Sequence, residues 1–458
     1  MLNVYDIIIA PFCVLLLWLF FAARLKKYST HTKKLFKNAL KFKIFCALIF
    51  SLVAAFYYGG GDSEMFFYSM KDMKQAIVAD DLSFFELLKM EKMDENAPLS
   101  FYFEQDNTKY PVYGFMRSSS NFLIPKLAVI PAFIFFNSYL AICIVFASFA
   151  FWGTIRLYKL LLHYFPSMNR EVALATLFIP SACYWSAGFL KDSICFGSVG
   201  FLLYGLFNVL IRRKNMAASL FWIATSIYFL YTIKVYILLA LVPGIGFWLF
   251  GQLGAGVKNV SLKRAMIFFS LIIASLAGYM LVTYLTSDVA LSKFSLDNIL
   301  ETSTYSREMY ERGSERSKGA YFQITTTNPV LLVLNGLVAT FFRPFPWEIS
   351  SAIVLFSALE ALIFLVLIAF LFIKKGIIVA FRKIFDTPIL ILCFSFSFIF
   401  AISIGITATN FGSLSRYKIP CLPFFLMFIL AAYRLTGLGY PRWMEKILLL
   451  VSKKEKAI

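Results

Sequence analysis

The amino-acid sequence predicts an all-α protein, a polytopic transmembrane bundle of about eleven helical spans with short helices in its outer loops. Of the 458 residues, 60% are hydrophobic and only 15% are charged, whereas a soluble domain has about 25% charged residues. Several apolar runs approach the roughly 20 residues that a helix needs to cross a bilayer. Runs such as VLLLWLFFAA lack the alternation that the strands of a membrane β-barrel require.

The distribution of charge predicts the orientation. The first span covers about residues 4–23, and the segment 24–43 that follows has eight Lys or Arg residues and no acidic residue. Lys and Arg concentrate in cytoplasmic loops, so this segment is predicted to be a cytoplasmic loop and the N-terminus to lie outside. Residues 59–121 have the opposite bias, with eleven Asp or Glu residues against six Lys or Arg residues, and are predicted to form an outer loop.

The same rule organises the rest of the chain. An extra N-terminal span and basic loop (1–43) precede a transmembrane domain (44–433), which has outer loops at 59–121 and 287–348, and a basic cytoplasmic tail (434–458) follows. Segment 329–348 is predicted to be re-entrant or interfacial, because a full crossing there would put KKGIIVAFRK outside. The remaining spans are predicted at about 44–58, 134–155, 171–189, 193–211, 217–233, 235–253, 265–286, 349–373, 387–408 and 419–433.

Composition and topology exclude several kinds of function. The net charge is +19, but the basic residues are spread between the apolar runs and are not concentrated in one domain. No nucleic-acid partner is therefore predicted. The seven cysteines lie in or beside apolar runs as core residues. Both histidines, His31 and His163, fall on the cytoplasmic side, so an outer reaction would use carboxylates, Arg, Lys, Tyr or bound ions. A Ser–His or Cys–His nucleophile or a His zinc site is excluded there.

The stretch FYYGGGDSEMFFYSM, residues 56–70, places two carboxylates at the outer boundary. Asp62 is either the N-cap of a helix that begins near Met65 or a rigidly held catalytic carboxylate. Glu64 is a candidate substrate-binding residue, and its acid-x-acid spacing with Asp62 could let the two side chains share a divalent cation through oxygens. No other metal or cofactor is predicted.

Two further outer motifs carry charges. At the turn GFLKDS, Lys191 could hold a phosphate that Asp192 orients, or the pair is an interface anchor with a snorkelling lysine. Lys234, at the end of another span, is interpreted only as an interface anchor.

Two segments towards the C-terminus place arginines at the predicted outer boundary. In FFRPFPWEIS, Arg343 and Glu348 bracket a rigid turn, where Arg343 either binds phosphate in a forked geometry or forms a structural pair with Glu348. In NFGSLSRYKIPCLPFF, Asn410 and Arg416 stand at the outer start of a span. Positive charges on the outer side run against the tendency of Lys and Arg to lie in cytoplasmic loops. They indicate either a bound lipid-linked phosphate or pairing with the acidic outer loop.

These motifs together resemble the polytopic C-class (GT-C) glycosyltransferases, which use polyprenyl-phosphate-linked sugars outside the membrane. GGGDSEMFF matches the acidic residue that follows a membrane helix in the first outer loop, and GFLKDS, RPFPWE and SRYKIPCLPFF resemble motifs of bacterial members and relatives. The resemblance covers about residues 44–433 and implies that Asp62 is the general base. It also implies that Arg343, Arg416 and Lys191 hold the leaving polyprenyl phosphate.

The predicted partners are therefore a polyprenyl-phosphate-linked sugar, a glycan, lipid or protein acceptor, and the lipid bilayer. The predicted location is the bacterial inner membrane, with a cytoplasmic C-terminus. One alternative is an O-antigen-type polysaccharide polymerase or ligase, which would rely on outer-loop arginines. Another is a transporter or assembly protein, and a transporter would need ionisable residues deep inside spans.

Overall fold

The computed structural model describes residues 1–58, 60–93, 99–104, 112–254, 322, 328–349, 351–385, 387–408 and 410–451. All regular secondary structure in these ranges is helical. By length and composition, seven of the described helices could cross a membrane, or eight if one bent pair is a single span. The length and apolar composition of these helices indicate an integral membrane protein. It divides into unit 1 (Met1–His163, Thr176–Val235) and unit 2 (Tyr164–Ala175, Tyr236–Ile458).

Long apolar helices and short connecting helices alternate in the first part of the chain. A π-helical turn, Val53–Tyr57, extends the second helix, and another, Phe207–Arg212, extends the eleventh. The helices are α1 Asp6–Leu25, α2 Thr30–Leu52, α3 Asp62–Val78, α4 Phe84–Lys89, α5 Leu99–Glu104, α6 Val112–Met116, α7 Ser119–Ile134, α8 Tyr139–Tyr164, α9 Asn169–Leu177, α10 Pro180–Trp185, α11 Lys191–Leu206 and α12 Met216–Gly254.

Buried charges in unit 1 are compensated at helix ends. The carboxylate of Asp6 accepts hydrogen bonds from Ser138 Oγ (2.5 Å) and Leu140 N (3.1 Å) at the start of α8, where backbone N–H groups lack helical partners. Lys43 Nζ donates to Cys183 O (3.1 Å) and Ser186 Oγ (2.5 Å) at the end of α10, where the helix dipole favours a cation. These contacts fix α1 against α8 and α2 against α10.

Two more lysines bind carbonyls at the ends of neighbouring helices. Lys126 Nζ donates to Leu88 O (3.1 Å) and Met90 O (2.7 Å) at the end of α4, and Lys74 Nζ donates to Ala132 O (3.0 Å) near the end of α7. Burial lowers the pKa of Lys74 and of Lys126. The short helices between α2 and α8 are thus held by lysine–carbonyl contacts as well as by apolar packing.

Glycines bring α8 and α11 into direct backbone contact. A Cβ atom added to Gly200 would lie 2.0 Å from the carbonyl oxygen of Gly153, and one added to Gly153 would lie 2.2 Å from that of Gly197. Small residues permit such close approach between helices in membranes, where dispersion forces replace the hydrophobic effect as the driving force.

Unit 2 contains the last helices of the chain. Gly405 of α16 approaches the backbone of Gly336 of α13 in the same manner, because an added Cβ would lie 2.0 Å from the Gly336 oxygen. Phe341 stacks on Phe425 with ring centroids 3.5 Å apart. The helices are α13 Pro329–Phe342, α14 Ala352–Lys375, α15 Ile377–Phe385, α16 Pro388–Thr407, α17 Phe411–Tyr417, α18 Leu422–Leu435 and α19 Arg442–Val451.

Two predictions about the topology are corrected. The span predicted at 171–189 is interrupted, because Pro180 lacks an N–H group and its predecessor Ile179 is extended, so α9 and α10 form in its place. Most of the predicted basic loop 24–43 is helical, since α2 begins at Thr30.

The count of about eleven spans is not confirmed. Residues 216–252 form one long apolar helix with a break at Lys234, and α17 and α18 are a pair bent by 72°. The predicted span 265–286 and nearly all of the loop 287–328 lie outside the described residues. Segment 329–348 forms a 14-residue apolar helix and a 3₁₀ turn, which is shorter than a typical span.

The glycine contact predicts a sharp difference between two alanine substitutions. Gly200→Ala is expected to lower the free energy of unfolding by about 1–3 kcal/mol, because the methyl group meets backbone and cannot be accommodated by a rotamer change. Gly114→Ala is the control, since a Cβ there meets nothing within 4 Å. Thermal unfolding in uncharged detergent measures both, and equal melting temperatures for the two variants would contradict the packing of α8 on α11.

Candidate functional site

The acidic turn predicted from GGGDSEMFF lies in the first turn of α3. The helix begins at Asp62 and its N-cap is Gly61, with no side-chain capping bond, so the expectation that Asp62 caps a helix starting near Met65 is wrong. Gly60 and Gly61 have φ values of 138° and 92°, a region that favours glycine. Asp62 and Glu64 are half-buried, where the helix dipole stabilises their negative charge.

Ser63 fixes this turn to the rest of unit 1. Its buried hydroxyl donates to Phe189 O (3.1 Å) and accepts from the Tyr139 hydroxyl (2.7 Å). The ring of Phe66 packs on that of Phe189, with centroids 6.0 Å apart. The start of α3 is therefore held against the turn that immediately precedes Lys191. Neither Ser63 nor Tyr139 was identified from the sequence, where nothing distinguishes them from other core hydroxyls.

Lys191 and Asp192 occupy the first turn of α11 and have different environments. Lys191 is half-buried, and its Nζ donates to Ser120 Oγ (2.9 Å). Asp192 is 2% exposed and forms an ion pair with Lys234 Nζ (2.5 Å). Of the two predicted phosphate-binding residues, Lys191 is thus the one that remains partly accessible.

Lys234 has a structural role that the sequence interpretation missed. Its backbone is non-helical (φ −146°, ψ 73°) and divides α12, and its side chain is 8% exposed. The prediction that Lys234 is only an interface anchor is therefore wrong. The sequence does contain an indication of this role: Lys234 lies within the apolar run TSIYFLYTIKVYILLALV. An ionisable residue inside such a run normally has a partner.

Unit 2 brings the RPFPWE and NFGSLSRYKIP motifs together. Arg343 Nε lies 3.0 and 3.1 Å from the two carboxylate oxygens of Glu348, and its Nη2 also contacts that carboxylate. Glu348 accepts a further hydrogen bond from Phe345 N (2.8 Å). The structure thus shows the Arg343–Glu348 structural pair, the alternative to a phosphate fork.

Aromatic rings and a second cation surround Arg343. Its guanidinium lies over the rings of Phe322 (4.6 Å) and Phe411 (5.2 Å), and Lys418 Nζ donates to the Arg343 carbonyl (3.4 Å). Lys418 is 1% exposed, and Glu360 of α14 acts on it electrostatically. A buried carboxylate therefore accompanies this buried cation.

The other two predicted residues of unit 2 lie on α17. The side chain of Asn410 is the N-cap, and its Oδ1 accepts from Gly412 N (2.6 Å) and Ser413 N (3.4 Å). Arg416 is in the last turn and half-buried. The side-chain oxygen of Asn410 is thus engaged in capping, a role that its position before a helix could have predicted.

The comparisons with known proteins identify no relative: no family model, no curated protein and no solved structure matches the chain. Within the part of the chain that the structure describes, no group of three or more His, Cys, Asp or Glu side chains could hold a metal ion. A divalent cation shared by Asp62 and Glu64 stays a prediction.

The buried ion pair predicts strong coupling between two substitutions. Asp192→Asn and Lys234→Met should each destabilise the protein by about 3–5 kcal/mol, because each removes the opposite charge of a buried ion pair and leaves the other charge buried. The double variant Asp192→Asn/Lys234→Met should recover most of that loss. Thermal unfolding in uncharged detergent measures the cycle, with Lys214→Met at an exposed lysine as the control. Simple additivity of the two losses would show that the pair contributes nothing.

Proposed function

We propose that the protein is a membrane glycosyltransferase, which transfers a sugar from a polyprenyl-phosphate donor to a glycan, lipid or protein acceptor at the outer face of the bacterial inner membrane. The observation that carries the proposal is the anchoring of Ser63 on Phe189. It holds the half-buried carboxylates of the α3 turn beside the turn that leads to Lys191. A base and a cation at the end of an apolar bundle are what this reaction requires.

Each group has a role in the transfer. The Asp62 carboxylate takes the proton from the acceptor hydroxyl, whose oxygen forms a bond to the anomeric carbon. The bond between that carbon and the phosphate oxygen breaks, and the polyprenyl phosphate leaves with the electron pair. Lys191 stabilises the charge that grows on this phosphate. Phe56 and Tyr57, which are 77% and 62% exposed just before Asp62, offer apolar surface to the polyprenyl chain.

The arginines of unit 2 contribute differently to the proposal. Glu348 neutralises Arg343, so Arg343 is assigned to shaping its turn, and Arg416 is retained as a phosphate-binding candidate. The polymerase or ligase alternative relies on six outer-side arginines. Three of them lie outside the described residues (Arg307, Arg312 and Arg316), and three lie within them (Arg117, Arg343 and Arg416).

Removal of the proposed base tests the function. Asp62→Asn should reduce sugar incorporation by about 100-fold or more, the usual range for a general base, while the protein still inserts and accumulates. Incorporation of radiolabelled sugar into the envelope fraction of expressing cells measures it. Asp80→Asn is the matched control, because Asp80 is exposed just after α3 and its left-handed backbone (φ 63°) accepts asparagine. Full activity of Asp62→Asn would remove Asp62 from the mechanism.

One observation favours a transporter as a second candidate. Transporters bind substrates and ions at breaks in membrane helices, and ionisable residues inside spans mark such pathways. Lys234 lies at the break in α12 with Asp192 as its partner. A transporter predicts substrate or proton flux in proteoliposomes that depends on Lys234 and not on Asp62. The transferase predicts that sugar incorporation depends on Asp62 and persists in the double variant Asp192→Asn/Lys234→Met, which removes Lys234 without leaving a lone buried charge. Asp62→Asn and this double variant therefore separate the two functions.

A further inference from the structure

A group of cations gathers in unit 1 around the turn between α1 and α2. Two cavities lie there, of about 50 and 180 Å³, and Lys27 and Arg156 line both of them. Arg24 and Lys159 also line the smaller cavity. Because two cationic residues are shared, the cavities are neighbouring parts of one basic recess.

Aromatic rings hold these cations close to one another. Lys27 Nζ and Lys159 Nζ lie 5.7 and 4.9 Å from the centre of the same ring, that of Tyr28. The guanidinium of Arg156 lies 5.2 Å from the ring of Tyr204. Arg156 and Lys159 are half-buried, so water screens their mutual repulsion only in part.

The segments that surround the recess contain no acidic residue, because the acidic residues of α1 and α11 lie in the first turns of those helices. No Asp or Glu occurs in residues 7–58, 139–163 or 193–233, which include most of α1, all of α2, α8 up to His163, α11 after Asp192 and the first half of α12. No acidic side chain lines either cavity among the described residues. The four cations cannot therefore be neutralised by these segments, in contrast to Lys234 and Arg343, which have carboxylate partners.

The helix dipoles compensate this charge only in part. Arg24 is in the last turn of α1, where the partial negative charge is about half an elementary charge and falls off within one turn. Lys159 lies more than one turn from the end of α8 at Tyr164. The described segments that line the recess supply no further negative charge, and an external anion would supply it.

The position of the recess indicates which anion. Tyr139, which contacts the acidic turn, and Lys159 are both on α8, and the 20-residue separation corresponds to about 30 Å. This is about the thickness of the hydrocarbon core. The recess therefore lies at the level of lipid headgroups, on the boundary opposite to Asp62.

We propose that this recess binds the phosphate group of an anionic ligand, with Arg156 and Lys159 as its principal contacts and Lys27 at its mouth. A membrane lipid headgroup and a soluble phosphate share this chemistry. The larger cavity has room for a phosphate and the groups attached to it, and Tyr204 and Trp222 form apolar walls. The proposal is independent of the glycosyltransferase function, because none of these residues contacts the acidic turn.

Thermal stabilisation of the full-length protein in uncharged detergent tests the site. Mixed micelles containing phosphatidylglycerol should raise the melting temperature, whereas phosphatidylcholine, whose headgroup has no net charge, should raise it much less. In the variant Arg156→Gln/Lys159→Gln the apparent affinity for phosphatidylglycerol should fall by about tenfold or more, since two charge-assisted contacts are lost. Millimolar inorganic phosphate in place of the lipid identifies the source, because stabilisation by phosphate but not by an equal concentration of chloride indicates a soluble ligand.

Two variants keep this experiment decisive. Lys34→Gln/Lys41→Gln removes the same charge from exposed positions on α2 that do not line the recess, and it should retain the wild-type stabilisation. Arg156→Lys/Lys159→Arg preserves the charge and should retain most of the affinity, which separates lost binding from lost folding. Equal stabilisation of the glutamine variant and the wild type, or no stabilisation of the wild type by either anion, would overturn the proposal.

Discussion

A charge placed among apolar helices must be compensated, and this constraint determines where the helices of unit 1 begin and end. The negative charge of Asp6 is compensated by an N–H group at the start of α8, and the positive charge of Lys43 is compensated by a carbonyl oxygen at the end of α10. Asp192 and Lys234 compensate each other, at the start of α11 and at the break in α12. An uncompensated ion in such surroundings costs several kcal/mol. Apolar packing alone would allow several arrangements of these helices, and the charged contacts favour one of them.

The same constraint separates the two ends of unit 1. At one end, the turn that contains Asp62 and Glu64 is anchored to the turn before the half-buried Lys191, and Asp192 neutralises Lys234. At the other end, cations gather in a recess whose surrounding segments have no acidic residue. Helix α8 runs from one end to the other, from Tyr139 to Lys159. The acidic turn and the basic recess thus have different chemistry, as expected of sites on opposite boundaries of a membrane.

Much of the fold and part of the candidate site could be predicted from the sequence. Hydropathy located α1, α14 and α16 well, because each is one uninterrupted apolar run. Charge bias grouped Asp62, Lys191 and Lys234 on one face, and the structure brings their elements together. Partners within the group could not be predicted, because the pairing of Asp192 with Lys234 joins residues 42 positions apart. Pro180 indicates a helix break, but the segment around it is apolar throughout, so hydropathy alone predicted one continuous span there.

The most direct test of this account is the sidedness of its two ends. All seven native cysteines are buried, so an introduced cysteine at an exposed position can be labelled selectively by a membrane-impermeant maleimide. Ser118→Cys, near the Lys191 partner Ser120, and Lys26→Cys, at the basic turn, are both exposed. Intact cells are expected to label Ser118→Cys alone, and Lys26→Cys is expected to react only after permeabilisation. Labelling of both positions from the same side would contradict it.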